Sequence, residues 1–130
     1  MRSPKPTLTE QELEIMKVVW QLETATVRQV YETMLEHRRI AYTTVMTMMN
    51  ILEQKGYLKK RQDDRAYVYR PSQPKQQVIR SMVREFVNRV FNGSAEPLLV
   101  HLVEDQHLDA KDLEEIRKTI SKSIRKDDAK

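Results

Sequence analysis

A chain of 130 residues has room for one ordinary domain or two very small ones, and not for a multi-step enzyme carrying its own cofactor fold. Charged residues make up 32% and hydrophobic ones 39%, with only two glycines and five prolines, a balance that suits a mainly helical protein and excludes a glycine-rich phosphate loop. Twenty-three Lys and Arg against 19 Asp and Glu leave a formal +4, which is compatible with a polyanionic partner without making a basic tail, while the lack of cysteine removes disulfides, thiolate metal sites and cysteine nucleophiles.

Thr9 is followed three residues later by Glu12, the spacing of a capping box, so a first helix is expected to begin there, with Leu13, Met16 and Trp20 at helical intervals. The pattern stops near Leu22. Thr26 and Gln29 repeat the capping spacing and open a second helix with an apolar stripe of Val27, Val30, Tyr31, Met34 and Leu35. A third helix carries Val45, Met48, Met49 and Leu52 on one face and ends at Gly56, where a left-handed residue is needed. Tyr57–Arg61 and Ala66–Arg70 then alternate around the polar segment Gln62-Asp63-Asp64-Arg65, which predicts a β-hairpin.

Pro71-Ser72-Gln73-Pro74 is the proline-dense internal stretch, and the domain boundary is placed there, giving domains over 1–71 and 72–130. Beyond it helices alone are expected. Val78–Phe91 carries a broad stripe, Asn92-Gly93-Ser94 breaks it, Leu98–Val103 forms a short helix, and Asp109 caps a last one with Leu113, Ile116, Ile120 and Ile124. The charged tail 125–130 is expected to fray. No stretch approaches the roughly 18 apolar residues of a spanning helix, so a cytoplasmic protein without membrane insertion is expected.

Three short helices and a hairpin are the order of a winged helix-turn-helix, in which the third helix enters the major groove and the hairpin touches the flanking backbone. If Val45, Met49 and Leu52 face inward, a 100° step per residue turns Thr43, Thr47, Asn50 and Gln54 outward, with Thr44, Met46 and Ile51 on the flanks. Threonine offers a hydroxyl and a methyl, and asparagine can bond adenine bidentately; no arginine lies in 43–54 to grip guanine, which favours A/T-containing sites. The alternative is that these are ordinary helix-surface residues.

Arg38, Arg39, Lys59, Lys60, Arg61, Arg65 and Arg70 flank that helix, and residues 1–71 hold 12 basic against 9 acidic groups. Arg65 at the hairpin tip is the best candidate for a phosphate or minor groove, whereas Lys59 and Arg61 can equally solvate the outer strand face. Tyr42 either donates to a phosphate or packs on Tyr67 or Tyr69. His37, His101 and His107 lack metal-ligand spacing, no nucleophile–base arrangement occurs, and neither metal nor cofactor is expected.

The C-terminal half is too small, at about 55 residues, to bury its own apolar area. Pairing with a second copy would cover Ile79, Met82, Val83, Phe86, Val87, Val90, Leu98, Leu99, Leu102, Leu113, Ile116 and Ile120; alternatively, the stripe over 78–91 packs back on the first half. A dimer implies a near-palindromic site in double-stranded DNA.

In order and spacing, Leu8-Thr9-Glu10, Leu13-Glu14-Ile15-Met16, Val19-Trp20, Ala25–Val30, Ala41–Thr47, Leu52–Gly56, Arg65–Pro71 and Phe91–Ser94 resemble the BlaI/MecI penicillinase-repressor family over nearly the whole chain. The resemblance implies a bacterial transcriptional repressor. It would bind an operator dyad as a homodimer through the third helix (42–55) and wing (57–70), and be released by cleavage linked to a membrane sensor metalloprotease. Three departures stand out: Asp63-Asp64 replaces the common Asp-Gly of the wing turn, Ala41 replaces a capping serine, and His101-Leu102 aligns with the cleavage region. The C-terminal cysteine cluster of copper-responsive relatives is absent.

The resulting expectation is a mainly α protein with no chemistry of its own, an N-terminal winged helix-turn-helix followed by a helical dimerisation domain. Base readout falls to Thr43, Thr44, Met46, Thr47 and Asn50, and backbone anchoring to Arg39, Tyr42, Lys60 and Arg65. The rival reading is a winged-helix module that binds protein and no specific DNA, which the modest charge permits.

Overall fold

In the computed structural model of the chain, residues 7–128 are described, with side chains described as far as Ile124; Met1–Pro6 and the end of the charged tail, Ala129-Lys130, lie outside. Both N-terminal capping boxes form. Thr9 Oγ1 accepts from the Glu12 N–H at 3.1 Å while Glu12 Oε1 accepts from the Thr9 N–H at 2.8 Å, opening α1 (Glu10–Leu22). Thr26 and Gln29 exchange the same pair of bonds to open α2 (Val27–Leu35). Helix α3 (Tyr42–Gln54) starts at Ala41 with no side-chain cap, as the alanine there predicts. Beyond its C-cap, Lys55, Gly56 takes φ 89°, a conformation that glycine adopts without the steric cost of a Cβ.

Strands β1 (Leu58–Asp63) and β2 (Ala66–Pro71) pair antiparallel with Leu58 opposite Pro71 and Asp63 opposite Ala66, leaving Asp64-Arg65 as a two-residue turn. Asp64 has φ 60°, so it takes the left-handed position that a glycine commonly fills, at a cost that the short polar side chain of aspartate moderates. The alternation of the strands places Leu58, Lys60, Gln62, Tyr67 and Tyr69 on one face and Lys59, Arg61, Val68 and Arg70 on the other. A contact that the sequence pattern did not reveal joins the α1–α2 connection to the wing: Ala25 and Tyr69 exchange two backbone bonds of 2.9 and 2.8 Å.

Helices α4 (Lys75–Phe91), α5 (Glu96–Asp105) and α6 (Ala110–Asp128) complete the chain, α6 running on into the segment expected to fray. Asn92 and Gly93, both at positive φ, end α4. Asp109 and Asp112 cap α6 reciprocally. The chain divides into two compact units, one ending at Met82 and the other beginning at Val83. The division falls within α4, beyond the proline-dense stretch chosen from sequence, because Val78 is buried in the first unit's core and Met82 packs against it. Met82 thus has a packing role in the first unit besides any role between copies. Trp20 Nε1 donates to the Gln73 carbonyl at 3.0 Å and ties the stretch between β2 and α4 to α1.

The first unit's core gathers Ile15, Met16 and Val19 of α1, Val30 and Met34 of α2, Val45, Met49 and Leu52 of α3, and Leu58 and Tyr69 of the wing. In the second unit no residue of α5 is buried, and Val83, Phe86, Val90, Leu99, Leu102, Leu113, Ile116 and Ile120 are exposed, while Val87 and Leu98 are half-buried, as is Ile79 in the first unit. Phe86 and Phe91 meet edge-on at 5.9 Å. Among the described residues no helix is long and apolar enough to cross a membrane.

One buried charge fixes α3 to α1. Glu12 is 5% exposed and its Oε1 lies 2.7 Å from Lys55 Nζ, which also donates to the Thr7 carbonyl at 3.2 Å. Burial pushes the Glu12 carboxyl up, but donation from Lys55 and from the Thr9 N–H outweighs it and holds the group below its ordinary value. The stabilisation is therefore complete above the unfolded-state value of about 4.3 and is lost as pH falls through the lower folded-state value. Glu12→Gln, which can still close the capping box, is expected to cost about 1–3 kcal/mol at pH 7. In melts followed by circular dichroism the gap from the parent should narrow below about pH 4.

Candidate nucleic-acid interface

Because Val45, Met49 and Leu52 are fully buried, the opposite side of α3 is turned to solvent, where Thr43, Thr44, Met46 and Thr47 are all exposed. Burying those three side chains contributes about 1.5–3 kcal/mol each, which holds the helix in this rotation. The exposed side mixes hydroxyls, methyls and a thioether, groups able to meet base edges and thymine methyls.

Beside α3 runs a groove of about 590 Å³ lined by Thr26, Val27 and Arg28 of the α2 start, Tyr42, Met46 and Asn50 of α3, and Lys60, Arg65, Ala66, Tyr67 and Tyr69 of the wing. Three of those residues are cationic and none is acidic. The grooves beside α1 and between α1 and α2 include glutamates. The structure thus brings together Tyr42, Met46, Asn50, Lys60 and Arg65 from the residues expected by sequence.

Two expected residues have different surroundings from those anticipated. Asn50 is half-buried, and its Oδ1 accepts a 3.1 Å bond from the Tyr69 hydroxyl, so it does not present a free carboxamide. Tyr42 meets the Tyr31 ring edge-on at 5.3 Å, because the first turn of α3 lies against α2, and it lines the groove together with Tyr67 and Tyr69. Burial pushes the Tyr69 hydroxyl up, helped by Glu53, so it is a neutral donor throughout the physiological range.

The cations near α3 separate by partner. Arg38 is engaged by Glu14 through bonds of 2.9 to 3.2 Å, which hold the carboxylate below its ordinary range. Arg61, on the outer wing face, leans toward Asp63 at 3.8 Å. Lys59 and Arg70 face each other on that same outer side. Lys60, on the inner face, stands over the Tyr67 ring at 4.6 Å, which directs its ammonium along the groove. Arg39 and Arg65 are exposed with no ion pair among the described residues.

Arg28 went unassigned in the sequence. It sits one residue inside the second helix from Val27, shares an exposed i,i+4 pair with Glu32 at 3.3 Å, and lines the groove. Its place in a first helical turn was legible from the Thr26 cap; that this turn faces the wing follows from the long-range Ala25–Tyr69 pairing. Among the described residues no group of three or more His, Asp or Glu side chains could hold a metal ion.

A three-helix unit with a hairpin wing and a cation-lined groove beside its third helix defines a winged helix-turn-helix head of the nucleic-acid-binding class. The sequence pattern of the family described as "Penicillinase repressor" matches residues 8–122, and the chain belongs to that family, whose members are transcriptional repressors and not enzymes. It is 26% identical over 111 residues to the penicillinase repressor of Bacillus licheniformis, covering 85% of this chain and 87% of the relative. With the transcriptional regulator BlaI of Mycobacterium tuberculosis it shares 36% identity over 99 residues, 75% of this chain and 72% of that one. The solved DNA-binding domain of the repressor BlaI superposes with a TM-score of 0.51 at 27% identity, covering 57% of this chain and 90% of that domain.

Proposed function

We propose that this chain represses transcription by binding a near-palindromic operator in double-stranded DNA as a homodimer, with α3 in the major groove and the wing against the flanking backbone. The observation that carries this reading is the adjacency of the exposed Thr43, Thr44, Met46 and Thr47 to a groove whose charged side chains, Arg28, Lys60 and Arg65, are all cationic. Phosphates draw the basic groups, and hydroxyl, methyl and thioether groups meet the base edges. Arg39, exposed just before α3, and Tyr42 in its first turn are assigned to the backbone. The name of the BlaI DNA-binding domain that this fold matches supports the same reading.

Homodimerisation is supported by the second unit. Helix α6 has no buried apolar side chain from Leu113 to Ile124, and Leu99 and Ile120 are more than half exposed in the single chain. A unit of this size hides too little of its surface alone, and a second copy presents the same apolar stripe. The first unit, which extends the 1–71 domain to Met82, then reads DNA and the second unit joins the copies, so half-sites lie a whole number of helical turns apart. Release by a cut linked to a membrane sensor metalloprotease is the last element of the proposal; His101 and Leu102, both exposed on α5, are the region assigned to it.

Thr47→Ala is expected to weaken operator binding by about 1–3 kcal/mol while leaving binding to random duplex nearly unchanged, as read by gel shift. Equal losses on both duplexes would remove Thr47 from base readout. Arg65→Ala should lower affinity on every sequence and reduce the slope of log K against log salt by about one unit. Sedimentation equilibrium at micromolar concentration is expected to return twice the chain mass, and a monomer would refute the dimer.

A further inference from the structure

Asparagine is the side chain suited to reading adenine at two points, its amide nitrogen donating to N7 and its oxygen accepting from N6. Asn50 lines the groove beside α3, yet its oxygen is already committed. Tyr69 is 2% exposed, and the one acceptor that its hydroxyl reaches among the described residues is Asn50 Oδ1, at 3.1 Å. A buried hydroxyl without an acceptor is costly, so the tyrosine dictates which way the carboxamide is turned.

The tyrosine cannot readily yield. Its backbone exchanges two bonds with Ala25, its strand partner is Lys60, and its ring is part of the core shared with α3. Asn50 Nδ2 makes no intramolecular hydrogen bond among the described residues and is the donor left to the groove.

We propose that Tyr69 is a positioning residue for sequence readout: by holding Asn50 Oδ1 it makes Asn50 a donor-only probe that selects an acceptor on the facing base instead of reading adenine at two points. The inference rests on the operator-binding reading above. In the major groove guanine offers O6 and N7, adenine N7 and thymine O4, whereas cytosine offers only the N4 donor. Asn50 in this setting therefore rejects cytosine at the position it faces and tolerates the other three. Tyr69 touches no base itself; it acts through the orientation of Asn50.

The test is selection from a pool of duplexes randomised over about two helical turns, performed with the full chain, with Tyr69→Phe and with Asn50→Asp. The parent is expected to recover a site that excludes cytosine at one position per half-site. Tyr69→Phe lets the carboxamide turn and present its oxygen, so discrimination against cytosine should fall about 3- to 10-fold at that position alone, with the remaining positions and the affinity for random duplex preserved. Asn50→Asp keeps an acceptor for the Tyr69 hydroxyl but carries no donor, so cytosine should become the preferred base there. A thermal melt shows whether Tyr69→Phe is folded; if it is not, the parent's own preference at that position decides, since a held donor-only amide accepts guanine, adenine and thymine, whereas a carboxamide free to turn selects adenine and overturns the positioning role. Should the parent recover a defined site and the folded variants keep its base preferences, or lose all positions equally, the positioning role is overturned while operator binding stands. A parent that recovers no defined site overturns operator binding, and the positioning role with it.

Discussion

Val45, Met49 and Leu52 lie at 0% exposure in a core shared by three helices and the wing, and that burial sets the rotation of α3 about its axis. Turning the helix by a single residue would expose apolar area worth on the order of 5 kcal/mol and bring threonine hydroxyls into a core with no partners for them. The residues that can meet a base edge are thus selected by what the opposite face must hide. The Glu12–Lys55 pair adds a second restraint at the far end of the same helix, so its rotation and its position along the axis have separate physical causes.

The distribution of charge matters more here than its sum. A formal +4 over the whole chain is modest, and three cations near α3 are shared with carboxylates: Arg38 with Glu14, Arg28 with Glu32, and Arg61 partly with Asp63. Of the three cations lining the groove between α3 and the wing, Arg28 is shared with Glu32 outside the lining, whereas Lys60 and Arg65 have no carboxylate partner among the described residues. A potential is set by local, unneutralised charge, which is how a weakly basic chain can hold a distinctly basic face. Strand alternation does the sorting, since it puts Lys60 inside with the tyrosines and leaves Lys59, Arg61 and Arg70 on the outer side.

Helices with no buried residue of their own, as in α5, contrast with a first unit whose α1, α2 and α3 each bury two or three side chains to near zero exposure. The first unit meets the ordinary requirement for an independent core; the second holds amphipathic helices whose apolar sides are uncovered in one copy. Membership of the penicillinase repressor family, over residues 8–122, spans both units, so the exposed stripe belongs to the family-matched part of the chain.

Much of the fold was legible because its determinants are local. The two threonine capping boxes, the Asp109 cap, the glycine after α3 and the period-two segments of the wing are patterns a few residues long, and each formed as expected. The exposed threonines followed from the same helical period. What escaped the sequence were relations between residues far apart: Tyr69 with Asn50, Ala25 with Tyr69, Tyr42 with Tyr31 and Arg38 with Glu14, whereas the packing of the start of the 78–91 stripe on the first half was an open alternative that Val78 and Met82 bear out in part. Each of those is fixed only when separate elements pack and a side chain must choose among partners that periodicity does not specify. Local hydrogen bonding and hydrophobic period therefore determined the elements and their faces, while the packing of one element on another decided which of the outward groups still had a donor, an acceptor or a charge to offer.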